Sequence, residues 1–178
     1  TIRKAKTEDI PQLIGLLYQA KVHADARPDL FRPGCKKYTE TELEQLIADA
    51  GRPIFVAEED GTILGYAFCI YQTPKTDSMQ PIRTLYIDDL CVDGNTRGKG
   101  VGHALYRHVL EVAKDTGCYN VTLNVWACNP AALRFYEHCG LTVQKIGMEQ
   151  ILRQDETKNP YSRKAPQEIL AALFLFIF

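Results

Sequence analysis

Three glycines within a six-residue stretch most strongly constrain how this chain can fold. Residues 97–102 have the sequence Arg-Gly-Lys-Gly-Val-Gly and stand between a strand-like segment, Leu85 to Val92, and a long amphipathic segment. The second segment keeps its apolar residues on one helical face and ends at Gly117, a typical C-terminal stop. Its apolar positions are Val101, Leu105, Val109 and Val112. The pattern therefore predicts a strand, a tight turn and a helix in succession.

Such a turn is suited to binding an anion. The first-turn N–H groups of a helix have no intrahelical acceptors, and the helix dipole adds partial positive charge there. Phosphate is the most natural ligand of a site of this kind. Arg97 and Lys99 would add two full positive charges. The plain structural alternative is a tight turn that binds no ligand.

Two common phosphate-binding templates do not fit this loop. A P-loop needs a glycine, four residues and then Gly-Lys-Ser/Thr, whereas here Gly98 and Lys99 are followed by Gly100. Asp93 occupies the position that the first glycine would take. A Rossmann loop needs Gly-x-Gly-x-x-Gly and an acidic residue about 20 positions later. Here the third glycine comes one residue early, and the next strand-like segment carries no carboxylate.

A second motif lies about thirty residues downstream of the glycine loop, at residues 129–141. Asn129 as N-cap, Pro130 in the first helical position and Gly140 as the stop predict a short helix. Its sequence combines Asn-Pro-Ala, Phe-Tyr-Glu and Gly-Leu. Together with Arg-x-x-Gly-x-Gly after a strand, this order and spacing resembles the GNAT acyltransferase superfamily, whose members bind acetyl-CoA.

The resemblance implies an acetyl-CoA-dependent N-acetyltransferase, with acetyl-CoA as co-substrate. The spacing of the four histidines does not bring them together, so we expect no metal site. The resemblance places pyrophosphate on the glycine loop, and pantetheine against Asn129 and the backbone at the end of the preceding strand. It assigns protonation of the departing CoA thiolate to Tyr136. The implied cofactor-binding residues are Leu90, Cys91, Val92, Arg97, Gly98, Lys99, Gly100, Val101, Gly102, Asn124 and Asn129. In the plain structural alternative, Asn129 is only a helix cap and Tyr136 is only a core aromatic.

Asp88 and Asp89 interrupt an otherwise apolar strand. Strand alternation predicts that Asp88 shares a face with Tyr86 and Leu90, and that Asp89 lies on the opposite face. Adjacent carboxylates are unfavourable in a strand and costly to bury, so each needs a partner. That partner is either a nearby Arg or Lys, or a substrate amine that must lose a proton before it attacks a thioester.

Residues 86–92 and 97–102 together are similar to the diamine (spermidine/spermine) acetyltransferase branch of the superfamily. That branch carries an acidic pair here, with Glu as its first member. The resemblance implies that Asp88 is the catalytic base or an amine ligand, and that Asp88 and Asp89 bind the substrate. Because Asp88 is one methylene shorter than Glu, we expect a bridging water. The acceptor is then a small cationic amine or a polyamine.

Three alternatives remain beside this hypothesis. The acceptor could be a protein or peptide amine, either an α-amino group or a lysine. The chain could also be a non-catalytic acyl-CoA-binding sensor, although such a module needs neither Tyr136 nor the acidic pair. Finally, Cys91 could act as a nucleophile, but no histidine accompanies it in the motif, and we expect an inert thiol.

Composition limits the partners and the compartment. The chain has 178 residues and a formal net charge of −1, which gives no electrostatic basis for binding nucleic acid. It contains no signal-type apolar run at its start and no apolar stretch of about 18 residues, so we expect no membrane association. Six cysteines without Cys-x-x-Cys spacing predict free thiols in the cytoplasm.

Hydrophobic periodicity predicts the element order β-α-α-β-β-β-α-β-α-β, which is also that of the GNAT fold. We therefore expect an α/β fold with a mixed, mostly antiparallel central sheet and helices on both faces. The last strand is predicted over Leu141 to about Leu152, within a domain of residues 1–153. The loops Asp25–Tyr38 and Gln72–Pro81 are expected to set acceptor specificity.

The remaining residues, 154–178, combine a polar segment with an apolar one. Gln154 to Gln167 contains two prolines and is predicted to be a linker, whereas Ile169 to Phe178 is almost wholly apolar. An apolar segment of this size marks an interface or an aggregation-prone surface. We expect it to dock on its own domain or across a homodimer. The alternative is a disordered end.

Overall fold

One sheet runs through the part of the chain that the computed structural model describes, residues 1–19, 26–31 and 37–152. Neighbouring strands are antiparallel from the first to the fourth, and the last pair is parallel. The strands follow chain order across the sheet: β1 (Ile2–Lys4), β2 (Ile54–Glu59), β3 (Thr62–Gln72), β4 (Thr84–Val92) and β5 (Asn120–Leu123). The mixed, mostly antiparallel sheet is thus confirmed.

Helices cover both faces of this sheet, as the sequence predicts. On one face, Leu105 and Val109 pack on strand residues that include Phe55 and Leu85. On the other face, Leu13 and Leu43 pack on strand residues that include Tyr66. The helices are α1 (Ile10–Gln19), α2 (Glu40–Ala48), α3 (Val101–Asp115) and α4 (Pro130–His138). The first two cover one face and α3 the other.

Local sequence rules account for several of the element boundaries. Thr39 and Glu42 form a capping box at the start of α2, in which the Glu42 carboxylate accepts from the Thr39 N–H at 2.7 Å. The hairpin between β2 and β3 turns at Asp60 and Gly61, both of which have positive φ (50° and 78°). Asp-Gly is the favoured sequence for such a turn. Both boundaries are therefore set by residues that are only a few positions apart in the sequence.

Strand β4 carries one residue more than β3 at its centre. Phe68 pairs with Asp89, but the next residue, Cys69, pairs with Ile87, so Asp88 has no partner in register. Such a β-bulge breaks the alternation of side chains. The prediction that Asp88 and Asp89 lie on opposite faces is therefore wrong, and both carboxylates reach one common partner.

The predicted last strand, residues 141–152, is also wrong, because this segment forms no regular secondary structure. Its apolar residues do not keep a regular alternation. They stand at odd positions at first (Leu141 and Val143), then at even positions (Ile146 and Met148), and again at an odd one at Ile151. A strand buries one face only when its apolar residues keep a period of two. Without that period, Met148 is left 94% exposed. The strand-like segment that follows α3 in the sequence is β5, which ends at Leu123.

Thr1–Thr142 form one compact unit, which holds every element named above. The domain end that the sequence predicts, residue 153, lies just past the described residues, so it stays a prediction. Cys35, the predicted linker and the apolar segment Ile169–Phe178 lie outside the described residues. No helix in the described ranges is both long and apolar enough to cross a membrane. The other five cysteines, Cys69, Cys91, Cys118, Cys128 and Cys139, are free thiols.

Candidate active site

The glycine loop joins β4 to α3 in an exposed turn with left-handed backbone. Gly98 and Gly100 have φ of 81° and 80°, a conformation that favours glycine. A Cβ added at either glycine would meet no protein atom within 4 Å, so the space in front of the loop is open. The first intrahelical bond of α3 is donated by Ala104 to the Gly100 carbonyl at 3.0 Å. The preceding N–H groups of the first turn therefore face outward without an intrahelical acceptor.

Strands β4 and β5 part beside this loop. Their parallel pairing ends at Ile87 and Leu123, so the last five residues of β4 do not pair with β5, and the last four of them pair with β3 alone. Asn124 lies just past the end of β5, where its Nδ2 donates to the Tyr86 hydroxyl at 3.2 Å. The edge of β4 that carries Leu90, Cys91 and Val92 is thus unpaired on the β5 side. An extended ligand with amide groups could pair with this edge.

The second motif packs directly against the first. Asn129 caps α4 as predicted, and its side-chain oxygen accepts from the Ala132 N–H at 3.1 Å. A Cβ at Gly102 would lie 3.4 Å from both Phe135 and Val92. The third glycine of the loop therefore allows α3, α4 and the end of β4 to meet. A loop with open space and outward N–H groups, next to an unpaired strand edge, fits a pyrophosphate joined to a pantetheine arm.

Tyr136 lies on α4 among aromatic neighbours. Its ring packs edge-on against Phe135 (5.0 Å between centroids) and Tyr106 (6.3 Å). Burial raises the pKa of Tyr136 well above its usual value near 10, and the negative charge of Asp89 raises it further. The hydroxyl therefore remains protonated at neutral pH and can donate a hydrogen bond to an anion.

Asp88 and Asp89 share one cation. Lys37 Nζ donates to Oδ2 of Asp88 at 3.2 Å and to Oδ2 of Asp89 at 3.1 Å. The Tyr38 hydroxyl also donates to Asp88 at 3.2 Å, and the buried Tyr66 hydroxyl donates to Asp89 at 3.3 Å. Each carboxylate thus has two donors. The cationic partner that these adjacent carboxylates require is Lys37.

The charge state of Lys37 follows from its neighbours. Burial alone would lower its pKa, but the charges of Asp89 and Asp88 outweigh burial and raise the pKa of Lys37. The side chain is therefore an ammonium at neutral pH. The bulge in β4 creates a position where two carboxylates hold one protonated amine.

A small pocket of about 10 Å³ lies beside Asp88. Its polar lining comes from Tyr38, Arg52 and Asp88, and apolar side chains such as Phe68 complete it. This volume holds about one water molecule, which needs two or more polar partners of this kind. The pocket is consistent with the water predicted to bridge Asp88 and an amine.

Cys91 is adjacent to this site but is not activated. Burial raises the pKa of its thiol to about 11, and the charge of Asp89 acts in the same direction. The sulfur contacts the carbonyl oxygens of Leu16 and Val92 at 3.9 Å. A thiol that remains protonated is a poor nucleophile. These observations favour the inert-thiol interpretation.

Three polar residues of the site are not named individually in the sequence-based predictions. Lys37 and Tyr38 end the loop Asp25–Tyr38, which is expected to set acceptor specificity, but they are about fifty residues from Asp88 in the chain, and no local motif assigns them to it. Tyr66 stands among apolar residues of β3 and looks like core. The only available indication was general: two adjacent carboxylates in a strand require donors. Which donors approach them is decided by tertiary structure.

The sequence and the fold of this chain have known counterparts. The chain matches the Acetyltransferase (GNAT) family over residues 20–141, and it belongs to that family. It is 35% identical over 149 residues to glucosamine 6-phosphate N-acetyltransferase 1 of Oryza sativa subsp. japonica, across 83% of this chain and 84% of that protein. It is 27% identical over 152 residues to thialysine N-epsilon-acetyltransferase of Bos taurus, across 78% of this chain and 82% of that protein.

Solved structures agree with this assignment. The crystal structure of a mutant of the BH1408 protein from Bacillus halodurans superposes with a TM-score of 0.82 at 27% identity, over 86% of this chain and 99% of that one. The chain is therefore an acetyl-CoA-dependent N-acetyltransferase of the GNAT family.

Proposed function

We propose that the enzyme transfers the acetyl group of acetyl-CoA by direct attack of a primary amine, and that the acceptor is a small cationic amine or a polyamine. The observation that carries this proposal is the convergence of Asp88 and Asp89 on one ammonium group, that of Lys37. Two carboxylates on one point favour a positively charged ligand there. The similarity to the diamine acetyltransferase branch in these residues points the same way.

The donor side of the reaction uses the loop and the strand edge. Acetyl-CoA supplies a thioester carbonyl as the electrophile. We assign its pyrophosphate to the glycine loop with Arg97 and Lys99. We assign its pantetheine arm to the β4 edge at residues 90–92, with Asn124 and Asn129 alongside. The open space at Gly98 and Gly100 and the separation of β4 from β5 support these assignments.

Proton removal from the acceptor is assigned to Asp88. An alkylamine is almost fully protonated at neutral pH, so a base must take its proton before attack. Asp88 faces the water-sized pocket, which supports proton transfer through one water. Asp89 is held by Tyr66 at 3.3 Å and by Lys37, which supports a role in binding the cation and not in moving its proton.

Tyr136 is assigned to the leaving thiolate. The raised pKa of Tyr136 keeps the proton on the hydroxyl. This pKa is higher than the ordinary thiol pKa of about 8.5. Complete proton transfer to the thiolate is therefore unfavourable. Donation of a hydrogen bond that strengthens as charge develops on sulfur is the role that the environment of Tyr136 supports.

A second acceptor class is supported by the rice relative, which is named for glucosamine 6-phosphate. An amino sugar phosphate presents a primary amine together with an anion. Lys37 and Arg52 are the cations next to Asp88 that could meet a phosphate group. The thialysine acetyltransferase relative instead favours an amine on a cationic side chain.

An amine panel tests the proposal. Free thiol released from acetyl-CoA is measured with spermidine, thialysine, a lysine-containing peptide and glucosamine 6-phosphate. We expect kcat/KM for spermidine or thialysine to exceed that for glucosamine 6-phosphate by at least about tenfold, or 1.4 kcal/mol. A preference for the sugar phosphate or the peptide would replace the cationic-amine assignment. Acetyl-CoA binding without turnover of any amine would favour a sensor module.

We also propose a cytoplasmic homodimer. The proposal rests on the apolar segment Ile169–Phe178, which lies outside the described residues, and on the frequency of closed symmetric oligomers. Light scattering of the full chain and of a chain lacking residues 168–178 tests the dimer. A monomer in both cases would contradict it.

A further inference from the structure

The side chain of Lys37 occupies the position at which the acceptor amine is proposed to bind. Its ammonium lies 3.2 Å and 3.1 Å from Oδ2 of Asp88 and Asp89, the two oxygens that converge on one point. The Lys37 side chain is 40% exposed, whereas those of Asp88 and Asp89 are 26% and 20% exposed. A flexible, half-exposed lysine thus covers two better-buried carboxylates.

An acceptor ammonium cannot share this position with Lys37. Two positive charges a few ångströms apart repel one another, and the oxygens that would stabilise the second charge are already used. Lys37 is also tethered to the site, so it competes at the high effective concentration of an intramolecular ligand. When an acceptor ammonium replaces that of Lys37, the number of ion pairs with Asp88 and Asp89 stays the same.

We propose that Lys37 is a specificity-determining residue that acts as an internal competitor of the acceptor amine. This inference rests on the proposed function. In the free enzyme Lys37 closes the carboxylate pair, and an acceptor binds only when its own ammonium displaces the lysine. Acceptors with a single weak contact are thereby disfavoured, and those with further contacts outside the carboxylate pair are selected.

The size of the effect of Lys37 on acceptor binding follows from the exposure of its ion pair. A partly exposed pair of this kind favours its closed arrangement by about fivefold. The apparent affinity of a ligand falls by the fraction of protein in the binding-competent state. Removal of the Lys37 charge should therefore lower KM for cationic acceptors about fivefold and leave kcat nearly unchanged.

The test compares Lys37→Met with Lys37→Arg, which keeps the charge, and with Lys114→Met, which removes an exposed lysine in the last turn of α3, outside the proposed site. We expect the KM for the best amine to fall only in Lys37→Met. If that variant is poorly folded in thermal melts, Lys37→Gln takes its place. An unchanged or higher KM, or a collapse of kcat, would overturn the proposal.

A binding measurement separates this inference from the proposed function. N,N-dimethylbutylamine is a tertiary amine that is charged at neutral pH and forms no stable amide. Calorimetry should show about fivefold tighter binding to Lys37→Met than to the wild type, Lys37→Arg or Lys114→Met. Equal affinities, or no binding to any of them, would overturn the competitor role. Absence of turnover with every amine would instead overturn the proposed function.

Discussion

At the scale of single residues, Tyr136 allows chemistry to be separated from packing. The Tyr136→Phe change keeps the ring that packs on Phe135 and removes only the hydroxyl. Loss of a hydrogen bond to a charged group costs about 1.5–3 kcal/mol. Because the charge on sulfur develops in the transition state, we expect kcat to fall about ten- to a hundredfold, with KM for acetyl-CoA nearly unchanged.

Tyr106 provides the control for this substitution. It is a buried tyrosine next to Tyr136, with ring centroids 6.3 Å apart, and it has no proposed chemical role. Steady-state kinetics of Tyr106→Phe should match those of the wild type. If Tyr136→Phe loses less than about threefold in kcat, the hydroxyl is part of the packing and not of the reaction.

The Asp88→Asn change tests the proposed base through its pH profile. With a carboxylate base, kcat/KM is roughly constant below the pKa of the amine, since the enzyme removes the proton. Without it, only free amine reacts, and kcat/KM should rise about tenfold per pH unit up to that pKa, near 10. The ratio of kcat/KM of the wild type to kcat/KM of Asp88→Asn is therefore largest at low pH.

Asp89→Asn is the matched comparison for Asp88→Asn. Its partner Tyr66 is fully buried, so we expect the variant to lose stability and amine affinity while it keeps the shape of the wild-type pH profile. Parallel pH profiles of kcat/KM for all three proteins would mean that solvent or the substrate itself removes the proton, and Asp88 would lose its assignment.

At the scale of elements, the turn between β4 and α3 can be tested without disturbing the sheet. Gly100→Ala adds a methyl group at φ 80°, where no protein atom lies within 4 Å. Gly117→Ala makes the same change at φ 70°, at the other end of α3 and equally in open space. Both variants should be destabilised by about 1–2 kcal/mol, because both place a Cβ in the left-handed region.

Only Gly100→Ala should weaken acetyl-CoA binding, because its methyl group stands where phosphate is proposed to meet the backbone. Calorimetric titration should give a Kd at least about tenfold higher than that of the wild type, and Gly117→Ala should be unaffected. Equal affinities for both variants would show that the loop is a turn and not the pyrophosphate site.

The elements also show how far sequence patterns reach. Capping residues and turn glycines act within a few positions, so the start of α2 at Thr39 and the Asp60-Gly61 turn could be predicted. The bulge at Asp88 could not, because it depends on how β4 aligns with β3. The loop that carries Lys37 is expected from the sequence to set specificity, but the contact of Lys37 with Asp88 could not be predicted, since it is set by tertiary structure and not by any local pattern.

At the scale of the whole molecule, one charged cluster joins strands β1 and β2 to Asp9, the residue that precedes α1. Arg3 in β1 donates to both carboxylate oxygens of Asp9 (2.7 and 2.9 Å) and to Glu58 in β2 at 2.6 Å. The Asp9 carboxylate also accepts from the Lys6 N–H at 2.8 Å. Asp9 is only 5% exposed, so its charge depends on these partners.

Asp9→Asn should therefore destabilise the protein by about 2 kcal/mol at pH 7, less than the 3–5 kcal/mol of a fully buried pair because Arg3 is partly exposed. Hydrogen bonding to Arg3 lowers the pKa of Asp9. A depressed pKa gives stability that is present above the unfolded value, about 3.9, and is lost as the pH falls through the folded value. Urea unfolding should show the gap between wild type and variant closing below about pH 4. The exposed Asp29→Asn change should have little effect, and a gap independent of pH would contradict the charge-based explanation.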